Sequence, residues 1–166
     1  ISLGFDGIGL DFIEGEKSLE LIKNEGFPED TLLFTGIING KNIWKNSYEK
    51  SLKVLNELSK HIKKDNIVVN TSCSLMHVPY TLKNEIKLPE DCKAHFAFAE
   101  EKLIELAELK EIFYDSNYIN SNKYRDNTLQ FMKKLNSNNS EVNKKIQNLT
   151  EKDFIRLPGF QERAKI

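Results

Sequence analysis

Three short apolar runs, each followed by a stretch of helical spacing, constrain this chain more than any other feature. In the first, over residues 7–12, Ile8, Leu10 and Phe12 alternate with Gly7, Gly9 and Asp11. A period of two is the signature of a strand, and the glycines allow close backbone approach on one face. Leu19 and Ile22 then share a helical face over residues 17–25, with Gly26 as the expected stop ahead of Pro28. The second run, Thr31-Leu32-Leu33-Phe34-Thr35-Gly36-Ile37-Ile38, is almost continuously apolar. It is expected to be a strand buried on both faces of a parallel sheet. A polar loop with Asn39-Gly40 follows, and then Tyr48, Leu52, Leu55, Leu58 and Ile62 recur at helical spacing. The third run, Ile67-Val68-Val69-Asn70-Thr71, is short and β-branched, so another buried strand is expected.

Beyond the third run the pattern changes. Residues 72–91 are irregular and contain Pro79 and Pro89; loops of that length are usually functional or interface-forming. One long helix is predicted over about 91–113. Its inward stripe is expected to be Phe96, Ala99, Leu103, Leu106, Ala107 and Phe113, with Glu100, Glu101, Glu105, Glu108 and Lys110 facing water. Weaker helical patterns cover 124–135 and 141–149, and Thr150 with Asp153 resembles a capping box.

Charge divides the chain in two. Residues 1–116 carry 14 Lys against 20 Asp and Glu, whereas residues 117–166 carry 7 Lys and 3 Arg against 5 acids. The basic part is rich in Asn and lacks an Arg cluster or interleaved aromatics. It reads as a solvated helical extension, and no nucleic-acid partner is expected. No apolar run approaches the ~20 residues that span a bilayer, and no basic-then-apolar leader is present. No membrane association is expected. The two cysteines, Cys73 and Cys92, are too few for a disulfide framework. A reducing, cytoplasmic setting is expected. The chain starts at Ile1, without Met, at the edge of an apolar segment, and reads as a piece of something longer.

Three consecutive βα units imply parallel strands joined by right-handed crossovers. An open doubly wound sheet or part of a (β/α)8 barrel both satisfy that pattern. A nucleotide-binding sheet needs a Gly-rich strand-to-helix turn, but the glycines of Gly4-Phe5-Asp6-Gly7-Ile8-Gly9 lie before and inside the first strand. A complete barrel needs about 250 residues. The expected fold is therefore α/β, a partial (β/α)8 TIM barrel over residues 1–116, with a helical linker over 117–166.

In barrels, chemistry sits at the C-terminal strand ends and the loops beyond them. Six residues there are candidates: Asp11, Asn39, Trp44, Ser72, Cys73 and His77. Cys73 and His77 bring a thiol and an imidazole together after a buried strand, as a zinc ligand or nucleophile with its partner requires. A free Cys is more commonly a small buried apolar side chain, and a metal needs about four ligands. Cys92 and His95, three apart, form a second pair without partners. Asp11 points opposite to Leu10 and Phe12, as a ligand, a base or simply a hydrogen-bonding group. Asn39-Gly40 suits an ordinary turn as well as a binding loop, and Trp44 suits a ligand contact or simply a cover for the sheet end.

Three segments at these loops carry a resemblance. They are Gly9-Leu10-Asp11-Phe12-Ile13-Glu14-Gly15, Gly36-Ile37-Ile38-Asn39-Gly40-Lys41-Asn42-Ile43-Trp44, and Ser72-Cys73-Ser74-Leu75-Met76-His77-Val78-Pro79. In order and separation they closely resemble the cobalamin-independent methionine synthase family. Lys93 with Phe96-Ala97-Phe98-Ala99 continues the match, and Leu149-Thr150-Glu151-Lys152-Asp153-Phe154 and the Glu162-Arg163 stretch resemble the family's linker.

The resemblance implies two face-to-face barrels that arose by duplication. This chain would be the last three βα units of the N-terminal barrel plus the linker. It implies a methyltransferase that makes methionine from homocysteine and 5-methyltetrahydropteroyltriglutamate, with zinc held in the other, catalytic barrel. The family's ligands there, a His-x-Cys pair, a Glu and a second Cys, are outside this chain, so neither catalytic nor metal-binding residues are expected in it. Strand order sets Asp11 where the catalytic barrel has its Glu and Cys73 where it has its second Cys, so both are expected to be structural remnants. The expected partner is the rest of the same polypeptide. The alternative is a free-standing half-barrel that binds another subunit or associates with itself through open strand edges.

Overall fold

The computed structural model describes residues 4–15, 17–136, 139–155 and 159, with no side-chain description for 134–136. Ile1 and the Glu162-Arg163 stretch lie outside these residues. The chain divides into two compact units, Ile1–Gln130 and Phe131–Ile166.

The three predicted strands form one parallel sheet in the order β1 (Gly7–Asp11), β2 (Leu32–Ile38), β3 (Ile67–Thr71). Gly7 pairs with Leu32 and Asp11 with Gly36; Leu33 pairs with Ile67 and Gly36 with Asn70. Because side chains alternate across a strand, this register puts Leu10, Leu33, Ile37, Ile67 and Val69 on one face. Helices α1 (Lys17–Glu25) and α2 (Tyr48–Leu58) pack there, and their Ile22, Leu52, Leu55 and Leu58 join those strand residues in a single core. Gly26 ends α1 as expected: its φ is +78°, and its N–H donates to the Ile22 carbonyl at 2.9 Å.

The opposite face differs from expectation. Leu32 and Phe34 are 38% and 37% exposed, and Asn70 is exposed too. The first half of the second strand is thus buried on one face only, because among the described residues no layer covers Leu32 and Phe34, whereas Thr35 to Ile38 are all buried.

The long helix predicted over 91–113 is also two pieces. A short α3 (Glu90–Lys93) is followed by an extended stretch in which Phe96 forms an antiparallel bridge with Trp44, and only then by α4 (Ala99–Tyr114). The expected stripe is rotated. Lys102, Glu105, Leu109, Ile112 and Phe113 are the buried face of α4, while Leu103 and Ile104 are more than half exposed and Ala107 is exposed. Of the residues expected in water, Glu105 is 3% exposed. Leu109, Ile112 and Phe113 reach the strand core, and that contact sets the rotation.

The segment 72–91 holds two tight turns, Leu75–His77 and Leu82–Asn84. Glu101 anchors it by accepting from Thr81 Oγ1 at 3.0 Å and the Leu82 N–H at 3.2 Å. Further along lie α5 (Asn122–Asn136), α6 (Ser140–Gln147) and a turn over Glu151–Phe154. Thr150 caps that turn with Asp153, as its spacing predicted. Among the described residues no helix is long and apolar enough to cross a membrane.

Candidate functional site

The loops after the three strands meet at the C-terminal edge of the sheet. After β1 the chain must reverse within four residues, and Asp11 drives the turn: its Oδ1 accepts from the Ile13 N–H at 2.7 Å and the Glu14 N–H at 3.1 Å. Gly15 is required there, since a Cβ would stand 2.2 Å from the Asp11 carbonyl oxygen. The Asp11 carboxylate is therefore engaged by its own loop.

After β2, Asn39 Oδ1 accepts from the N–H groups of Lys41 and Asn42 at 2.8 and 3.1 Å, and Asn42 Oδ1 accepts from the Trp44 N–H at 3.1 Å. These two side chains fold the loop on itself, the ordinary-turn alternative for Asn39-Gly40. Two contacts tie the three loops together. Lys41 Nζ pairs with Glu14 across to the β1 loop, and the Gly40 N–H donates to Ser72 Oγ of the β3 loop at 3.2 Å. Gly40 also lies flush on Cys73: a Cβ would approach the Cys73 carbonyl oxygen to 2.6 Å and Sγ to 3.0 Å. Glu14 raises the Lys41 pKa, first through its hydrogen bond and then through its charge, and the fields of Cys73 and Asp11 add to this.

Cys73 is half-buried, with Sγ 3.7 Å from the Ser74 carbonyl, while His77 stands exposed on its turn. Trp44 is 50% exposed, with its ring centroid 5.2 Å from that of Phe96. The sheet edge thus gathers Asp11, Asn39, Ser72 and Cys73, and Trp44 and His77 sit outward of them. Cys92 is exposed on α3. Among the described residues no group of three or more His, Cys, Asp or Glu is arranged to hold a metal ion.

A layer of polar side chains beneath the β2 loop had no counterpart in the sequence reading. Lys102, fully buried, donates Nζ to the Trp44 carbonyl at 3.1 Å, and Glu105 Oε1 accepts from the Asn46 N–H at 2.8 Å. From α5, Asn127 donates Nδ2 to the Asn46 carbonyl at 2.9 Å and accepts from the Tyr48 N–H at 3.0 Å, capping α2. The Tyr48 hydroxyl donates to Glu108 Oε2 at 2.6 Å. Burial pushes the Glu105 carboxyl up to about 7 against the opposing pull of the Asn46 N–H and the Lys102 and Lys45 charges. Burial also lowers Lys102, with the Glu105 charge opposing it. Lys102, Glu105, Leu109 and Ile112 recur at helical spacing, a signal masked by the more apolar stripe beside it.

Comparison with known proteins gives consistent relatives. Residues 1–63 match the family described as "Cobalamin-independent synthase, N-terminal domain". A protein of Lactococcus lactis subsp. cremoris (strain SK11), named 5-methyltetrahydropteroyltriglutamate--homocysteine methyltransferase, is 51% identical over 163 residues, 98% of this chain. A protein of the same name from Campylobacter jejuni subsp. jejuni serotype O:23/36 (strain 81-176) is 48% identical over 162 residues. The chain spans 21% of the length of each.

Proposed function

We propose, for a chain that belongs to the cobalamin-independent methionine synthase family, a structural role inside a methyltransferase whose reacting groups lie elsewhere in the polypeptide. The observation that carries this is 51% identity across 98% of the chain to a relative of which it spans 21%. Residues 1–116 form the last three βα units of a (β/α)8 barrel, and 117–166 link it to a second one. In support, both crossover helices lie on one side of the sheet, and the apolar Leu32 and Phe34 look out from the other, as barrel-lining side chains do.

The reaction of the whole protein, on this reading, moves a methyl group from 5-methyltetrahydropteroyltriglutamate to the sulfur of homocysteine in the cytoplasm. A free thiol has a pKa of about 8.5, so zinc coordination supplies the thiolate at neutral pH. The donor set here does not suit that ion. Asp11 spends Oδ1 on two backbone N–H groups, Cys73 is wedged against Gly40, and His77 projects from a separate turn. Asp11, Asn39, Ser72 and Cys73 instead fasten three loops at the barrel rim, and no step of the transfer runs through them.

The test is to supply this chain with zinc, homocysteine and 5-methyltetrahydropteroyltriglutamate. The expected results are no methionine and no tight, stoichiometric zinc. Turnover, or zinc binding that disappears in Cys73→Ala, would overturn the reading.

A second reading rests on the β1 edge. A cleft of about 780 Å³ runs beside it, walled by Phe5, Ile8, Leu10, Leu21, Ile22 and Phe27. A parallel edge left unpaired among the described residues, beside an apolar cleft, suits a half-barrel that pairs with itself. Light scattering separates the two, because a monomer at high concentration argues against self-pairing.

A further inference from the structure

The polar layer beneath the β2 loop is used by neither reading above. It joins three segments distant in sequence: the backbone at 44–46, α4 through Lys102 and Glu105, and α5 through Asn127 and Gln130. Two of its atoms are buried without a hydrogen-bond partner among the described residues, Glu105 Oε2 and Gln130 Nε2. We propose that Glu105 is a proton-operated latch that holds the loop around Trp44 closed when protonated and releases it when ionised.

Glu105 Oε1 is committed to the Asn46 N–H, so a proton goes to the partnerless Oε2 and leaves that backbone bond intact. Removing the proton strands a full negative charge in a site 3% exposed. A buried charge is costly unless paired. The nearest cations are Lys102, bonded to the Trp44 carbonyl, and Lys45, bonded to Gln130 Oε1 at 3.2 Å. Neither hydrogen-bonds Glu105 Oε2, so the ionised carboxylate is relieved by water, which reaches it when the loop backbone over it moves away. Glu108 on α4, Tyr48 on α2, and Lys123 and Asp126 on α5 line the adjoining cleft with Lys45, and the His95 carbonyl accepts from the Lys45 N–H at 3.0 Å. Glu108 is acidic and held by Tyr48, and its charge opposes ionisation of Glu105.

The sign follows from linkage. A carboxyl whose folded-state pKa is raised, here from 4.5 to about 7, contributes its stability fully below the unfolded value. That contribution is lost as pH rises through the folded value. The latch is closed in mild acid and opens across neutrality.

Trp44 is the one tryptophan of this chain, so its fluorescence reads the loop directly. The whole chain is titrated from about pH 5 to about pH 9, a window spanning both pKa values. The expected result is one transition centred near 7, lost in Glu105→Gln and kept in His95→Asn. The second variant is needed because histidines as a class titrate in this window. No transition in the unaltered chain, its survival in Glu105→Gln, or its loss in His95→Asn would each overturn the proposal. Should Glu105→Gln fail to fold, the carboxyl carbon resonance of Glu105 in the unaltered chain decides. A midpoint near 7 supports the latch, and one near the ordinary glutamate value of about 4.3 refutes it.

Discussion

At the scale of single residues, the strand-end loops are governed by how little room they leave. Gly40 is the tightest example that spans two loops, because a methyl group there meets Cys73 backbone rather than a side chain that can turn away. Gly40→Ala is therefore expected to destabilise the fold by about 1–3 kcal/mol, the usual cost of overpacking. A lowered urea midpoint with unchanged slope would record it, and an unchanged midpoint would show that the β3 loop gives way freely. Asp11 was legible as a side chain turned away from Leu10 and Phe12. Its partners were not, since an aspartate at a strand end suits a turn, a ligand or a base equally, and only the positions of Ile13 and Glu14 N–H select the turn.

Among the elements, the strands and α1 and α2 were plain from periodicity, because each offers one apolar pattern. Helix α4 offers two. The stripe through Leu103, Leu106 and Ala107 competes with one through Leu109, Ile112 and Phe113 that is interrupted by Lys102 and Glu105. Counting apolar residues favours the first stripe. The fold uses the second because Leu109, Ile112 and Phe113 reach the strand core, while Lys102 and one oxygen of Glu105 bond the backbone at 44–46, which offsets part of the cost of burying them. The two faces should respond oppositely to substitution. Leu109→Ala is expected to cost about 2–5 kcal/mol as a buried truncation. Leu103→Glu, on a side chain 56% exposed, should stay within about 0.5 kcal/mol. Equilibrium unfolding of the two variants checks this, and the reverse order would restore the stripe expected from the sequence. The break before α4 was hidden for a related reason: Phe96 and Ala97 read as helical until the Trp44 bridge is known.

For the whole molecule, the βα alternation announced a parallel sheet wound in one direction, but no local pattern says what lies over Leu32 and Phe34. A parallel sheet is ordinarily covered on both faces. In our account the cover is the rest of a barrel, and this chain contributes framework to a methyl transfer carried out by groups outside it. Exchange into a relative tests that claim most directly. The segment of the Lactococcus lactis enzyme that aligns with this chain, 51% identical to it, is replaced by this chain, and methionine formation from homocysteine is measured. A folded chimera is expected, with activity within about tenfold of the parent (a loss of about 1.4 kcal/mol or less), and the same when the exchanged segment carries Cys73→Ala. A chimera that folds but makes no methionine, or one whose activity vanishes with Cys73→Ala, would contradict it.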